Sequence, residues 1–141
     1  MTHTWQEGFE FEFVYKVPQD KTVPHLFPEF PEGREMPDVF ATGYMVGLFE
    51  FACIKAINDH IDWPRQQTVG IHINVSHTAA TPPGFTVTVK GRLDKIDGRK
   101  LSFSLSAHDG LDTISKGTHD RFIIDADKFN AAVAKKMANG R

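Results

Sequence analysis

The segment from Val39 to Ile54 constrains this chain more than any other. It reads VFATGYMVGLFEFACI, and Glu50 is its single charge. On a helical wheel Glu50 shares a stripe with Gly43, Val46, Gly47, Ile54, Ile57 and Ile61. Ala41, Met45, Leu48 and Ala52 take the opposite side. A helix apolar all round is a buried helix, so the rest of the chain is expected to wrap around this one. A carboxylate there has to be paired, hydrogen-bonded or shifted in pKa, and such groups concentrate at functional sites. The competing explanations are an ordinary exposed helical glutamate and a buried structural carboxylate capped by a backbone group or a water.

The flanking sequence supplies the wrapping. Residues 9–15, FEFEFVY, put Phe9, Phe11, Phe13 and Tyr15 on one face of a half-buried strand. Residues 18–37 are rich in proline and carry Phe27 and Phe30. They read as an ordered lid, since a linker has few large apolar groups. Asp38 is placed to cap the helix, which is expected to run to about His60. Strands follow over 68–79, from Phe85 to Leu93, from Leu101 to Ala107, and over 113–124. Pro82-Pro83-Gly84, Asp97-Gly98 and Asp109-Gly110 mark turns. In 68–79, Val69, Ile71, Ile73, Val75, His77 and Ala79 share one face, while Gly70, His72, Asn74, Ser76 and Thr78 share the other. A short helix over 125–138 ends the chain, with Asp125 as its cap. An antiparallel sheet wrapped around one long apolar helix is the hotdog architecture, an α+β fold. Residues 1–141 form a single domain on this reading. Gly43 and Gly47 each cost about 1 kcal/mol in a helix relative to alanine. Close approach of a neighbouring backbone is the expected compensation.

Composition narrows the function. A chain of 141 residues, 40% hydrophobic and 24% charged, suits a globular domain with a real core. The net charge is −2 with no basic block, which argues against nucleic acid or an anionic membrane as partner. The apolar run is too short for a membrane span, and MTHTWQEGFEFEF has no signal-peptide pattern. Cys53, the single cysteine, excludes an internal disulfide and points to a reducing compartment, the cytoplasm.

Three residues stand out as chemical candidates. Glu50 has no cation among its helical neighbours. His77, by strand parity, faces the helix; a lone histidine on an apolar face is more often a core residue than a catalyst. Thr42 lies in the first helical turn, ~12 Å along the axis from Glu50 and ~80° around it. The two share a site only through a substrate that spans them or across a subunit interface. His72 and His77 face opposite ways, and the pairs His108-Asp109 and His119-Asp120 are separated by strand alternation. With no CxxC, HExxH, phosphate-binding glycine loop or GxSxG, neither a metal nor a nucleotide loop is expected.

The segments FATGYMVGLFEFACIKAI, VSHTAATPPGFTVTV, LSFSLSAHDG, GTHDRFIID and KFNAAV resemble the fluoroacetyl-CoA thioesterase family of hotdog proteins, in order and with nearly the same spacing. The resemblance covers about residues 8–135. It implies a catalytic set of Thr42, Glu50 and His77, with Gly70 and Arg121 near the substrate. It also implies a homodimer, an acyl-CoA substrate, and no cofactor beyond the coenzyme A carried by that substrate. Fluoroacetyl-selective members have two phenylalanines in the lid. Gly33 and Met36 stand at the matching positions here, with Phe27 and Phe30 close by, so thioester hydrolysis is implied but fluoroacetyl selectivity is not. Backbone amides near Gly43, at the helix start, are the expected oxyanion site. The rival expectations are a hydratase or dehydratase on the same fold, and a non-catalytic module that binds CoA esters.

Overall fold

A computed structural model describes residues 5–140; the first four residues and Arg141 lie outside the described part. The reading of the N-terminus as free of a signal therefore rests, for those four residues, on sequence alone. The elements are β1 (Glu10–Lys16), α1 (Pro31–Arg34), α2 (Thr42–Asn58), β2 (Gln66–Val75), β3 (Thr86–Asp97), β4 (Lys100–His108), β5 (Thr113–Asp125) and α3 (Ala126–Asn139). The strands make one antiparallel sheet in the order β1-β3-β4-β5-β2. Helix α2 packs on its inner face, the hotdog architecture read from the sequence.

Alternation places the core. Val87, Val89 and Leu93 of β3, with Leu101, Phe103 and Leu105 of β4, point inward and are buried. They meet Met45, Leu48, Phe49, Ala52, Cys53 and Ile57 of α2. Each large side chain so buried contributes ~1.5–3 kcal/mol of transfer free energy. Phe11 lies across Gly91 of the neighbouring strand, where a methyl group would strike the ring. Gly98 takes φ +60° at the first central position of the β3–β4 hairpin, and Arg99 does not have positive φ. That is the type II′ pattern. Asp125 caps α3 by accepting from the Lys128 amide, 3.1 Å. Among the described residues no helix is long and apolar enough to cross a membrane.

Several expectations change. Helix α2 is not buried all round: Phe51 is 59% exposed and Gly43 faces solvent. Its amino-terminal cap is Ala41, without a side-chain bond. Asp38 instead accepts from the Thr22 hydroxyl, 3.3 Å. No backbone approaches the helical glycines. A methyl group on Gly43 would press on the Leu26 side chain of the lid, at 3.2 Å, and Gly47 has open space beside it. Pro82, Pro83 and Gly84 do form a turn, with Gly84 at φ +89°. It does not join neighbours, because β2 and β3 lie apart in the sheet and residues 76–85 cross between them. Strand β2 ends at Val75 rather than 79, so His77 lies beyond it.

The parity of β2 also changes. Its pairing with β5 slips between Gly70 and His72, leaving Ile71 as an extra residue. A bulge of this kind inverts the alternation on one side of it. Thr68 and Gly70 therefore turn inward with Ile73 and Val75, whereas Val69 pairs with Phe122 on the outer face and Ile71 is 51% exposed.

Candidate active site

Two clusters of polar side chains sit on α2, and each combines the helix with the strand-and-loop layer beside it. The first is at the helix start. Thr42 is the first helical residue, and its Oγ1 lies 2.7 Å from Nδ1 of His77. The loop after β2 carries His77 back toward α2, as its parity with Ile73 and Val75 predicts. Burial lowers the His77 pKa below 6.5, so the ring is neutral near pH 7. Its Nε2 is buried without a protein partner among the described residues. In the tautomer with the proton on Nε2, the Thr42 hydroxyl donates to Nδ1 and the Nε2–H is a free donor. Nearby, the first intrahelical bond runs from the Met45 amide to the Ala41 carbonyl. The amides of Thr42, Gly43 and Tyr44 precede it, at the positive end of the helix dipole.

The second cluster lies two turns further along α2. Glu50 is not enclosed as the sequence suggested, since its side chain is 41% exposed. It is paired, and the partner comes from β5. Arg121, only 3% exposed, directs Nη1 to Glu50 Oε1 at 3.3 Å. The remaining contacts fix the guanidinium. Nε donates to Thr68 Oγ1 and Nη2 to the Thr68 carbonyl, both at 2.8 Å. Nη1 also lies 3.2 Å from His119 Nε2. Burial lowers the Arg121 pKa, while the Glu50 carboxylate opposes that shift. These donors face protein rather than solvent, so Arg121 holds Glu50.

Gly70 completes this cluster. A methyl group there would overlap Glu50 Oε1 and sit 3.2 Å from His119 Cε1 and 3.4 Å from Arg121 Nη1. The missing side chain is the space the carboxylate occupies. The bulge at Ile71 is what turns Gly70 to this side. Cys53, one turn beyond Glu50, is pushed up to about 12, chiefly by burial, and is inert as a nucleophile.

Two members of the cluster are not among the chemical candidates read from the sequence: Thr68, and His119, which entered there only as half of an adjacent pair. Both lie inward on the strand pair, where Thr68 faces Ile123 and His119 faces Ile73. Parity along β5 offered a signal, because His119 alternates with Arg121 and Ile123. The lid packs on the first turn of α2, where Leu26 lies against Gly43 and the Tyr44 hydroxyl donates to the His25 carbonyl, 3.2 Å. Phe27 and Phe30 are half exposed with ring centroids 5.5 Å apart. With Val23, Leu26, Glu32 and Gly33 they line a cavity of about 340 Å³. Met36 is also about half exposed. Among the described residues no group of three or more His, Cys, Asp and Glu side chains is placed to hold a metal ion.

An antiparallel sheet wrapped around one long helix makes this a hotdog protein. The comparisons agree. The family model for "FlK: Fluoroacetyl-CoA-specific thioesterase" matches residues 23–127, and the chain belongs to that family. It is a thioester hydrolase. A fluoroacetyl-CoA thioesterase from Streptantibioticus cattleyicolor is 52% identical over 134 residues, 95% of this chain and 94% of that protein. A solved threonine-to-alanine variant of the fluoroacetyl-CoA thioesterase FlK, in complex with fluoroacetate, is 50% identical with a TM-score of 0.91. The match covers 94% of this chain and 98% of that one. A thioesterase superfamily member from Thermus thermophilus is 26% identical with a TM-score of 0.83, covering 95% and 94%.

Proposed function

We propose that this protein hydrolyses short acyl-CoA thioesters to the free acid and coenzyme A, without marked selectivity for the fluoroacetyl group. The observation that carries the reading is the Glu50 carboxylate, held on Arg121 in the gap left by Gly70. Glu50 takes a proton from water as the oxygen attacks the thioester carbon. The amides at the start of α2 and the Nε2–H of His77 donate to charge developing on the substrate. Collapse of the tetrahedral species breaks the C–S bond. The proton on Glu50 passes to the departing thiolate, which regenerates the carboxylate. Thr42 holds His77 in the required tautomer. The reaction needs no resident cofactor or metal, since coenzyme A enters as part of the substrate.

The two clusters are too far apart along one helix to meet at one carbonyl. We infer a homodimer in which two α2 helices run antiparallel, so that Glu50 of one copy approaches the Thr42–His77 pair of the other. The free edge of β2, with Ile71 exposed, supports pairing there. The lone, buried Cys53 thiol fits the reducing cytoplasm.

The test is thiol release over a panel of short, branched, aromatic and halogenated acyl-CoAs. Free thiol is expected, and it must fall in the Glu50→Gln variant. An intact, hydrated thioester points to a hydratase, and binding without turnover points to a carrier. Single turnover in ¹⁸O-water should leave Glu50 unlabelled; label in its carboxylate would make it a nucleophile. The lid is tested by Gly33→Phe with Met36→Phe, which should raise the fluoroacetyl-CoA to acetyl-CoA ratio. An unchanged ratio would show that these positions do not govern selectivity.

A further inference from the structure

We propose that His119 is a positioning residue of this site: its Nε2 lone pair holds the Arg121 guanidinium in the orientation that presents Nη1 to Glu50. The proposal rests on the assignment of Glu50 to the reaction. It starts from tautomer arithmetic. His119 Nδ1 lies 2.7 Å from the carbonyl of His72. A carbonyl only accepts, so Nδ1 carries the proton. Nε2 lies 3.2 Å from Arg121 Nη1. A guanidinium only donates, so Nε2 is the acceptor. Both ring nitrogens are thereby used, and the ring is neutral.

The ring's surroundings agree. His119 is buried at 1% exposure and sits against Gly70, beside the Glu50 carboxylate. Glu50 from α2 and Asp120 on β5 favour the imidazolium, as does the His72 carbonyl of β2. Burial and Arg121 oppose it, and burial is the largest influence, so the pKa is lowered. A proton on Nε2 would set a donor against a donor. Arg121 would then have to turn, and Glu50 would lose its partner. The geometry makes β2 the anchor: its His72 carbonyl fixes the imidazole, the imidazole orients the guanidinium, and the guanidinium sets the carboxylate.

Two amide substitutions separate the ends of the ring. In His119→Gln the amide oxygen can stand where Nε2 stood and still accept from Arg121. In His119→Asn the amide nitrogen can stand where Nδ1 stood, which keeps the His72 bond and loses the acceptor. At pH 8, His119→Asn should lower kcat ~10- to 100-fold with KM within ~2-fold, and His119→Gln should stay within ~3-fold of wild type, the spread expected for misplacing a reacting group. The Gln variant should also lose part of the acid-side fall in kcat, since it no longer titrates. Nitrogen NMR of the folded protein gives a readout that does not depend on turnover. It should show an unprotonated Nε2 at pH 7.5, with Arg121 Nη1 protons slow to exchange in wild type and Gln but not in Asn. Equal losses in the two variants, or a protonated Nε2, would overturn the proposal. A wild-type protein that releases no thiol would refute the functional reading instead, and the Arg121 signals would still decide the role of His119.

Discussion

The two polar clusters on α2 are held in opposite ways. Glu50 is gripped from beneath: Arg121 is buried, hydrogen-bonded twice to Thr68 of β2 and backed by His119. The Thr42–His77 pair has one hydrogen bond between an exposed first-turn residue and a loop residue beyond the end of β2. The contrast separates two demands. On the proposed mechanism the carboxylate has to stay in one place, and the buried Arg121 guanidinium fixes it there. On the same mechanism the hydroxyl–imidazole pair has to meet the substrate, and it rests on a helix start and a loop with a single hydrogen bond between them.

The largest effects should come from removing the chemistry at either cluster. Glu50→Gln and His77→Ala should each lower kcat/KM for a cleavable acyl-CoA by at least ~10²-fold. Wild-type turnover in either variant would take that residue out of the reaction and dissolve the pairing of clusters.

A second contrast concerns stability. Arg121→Met strands both acceptors of Thr68 and the acceptor nitrogen of His119. It should cost ~2–4 kcal/mol in urea unfolding, most of it from those buried groups, because the half-exposed Glu50 is solvated once released. Thr42→Ala should change stability by less than ~0.5 kcal/mol, as exposed positions do, while lowering turnover. If the two variants destabilise equally, the clusters are not held differently.

The smallest effect is the pH dependence of stability. Burial lowers the folded pKa of both His77 and His119 below 6.5. Between the unfolded and folded values the unfolded chain binds more protons, so stability rises with pH there. This contribution is present in full above ~6.5, the unfolded value, and is lost as pH falls through the folded ones. Urea midpoints measured from pH 8 to 5 should decline, and His119→Gln should flatten the decline. An unaltered slope in that variant would mean that His119 does not take up a proton on unfolding.

Much of the architecture was legible because it follows from alternation and punctuation. The inward faces of β1, β3 and β4, the Asp97-Gly98 hairpin and the Asp125 cap need only local rules. Strand parity also led His77 to α2, where it meets Thr42. Other features depended on tertiary structure. The apolar face of α2 overstated its burial, because Phe51 is left open. The partner of Glu50 lies on β5, 71 positions away in sequence, where helical spacing has no reach; Arg121 came from family likeness alone. His119 was set aside as one of an adjacent pair, although its alternation with Arg121 marks it as inward. Gly70 was assigned to the wrong face because a bulge is a backbone event that leaves no mark in residue type.

That single extra residue in β2 is a phase shift. Deleting Ile71 would return the strand to even counting and swing Thr68 and Gly70 to the far side of the sheet, although every residue that bears on the chemistry would still be present. A relative could therefore retain the full complement of catalytic side chains and still have nowhere to seat its carboxylate. Counting along β2 is as diagnostic of this site as the identities of the residues themselves.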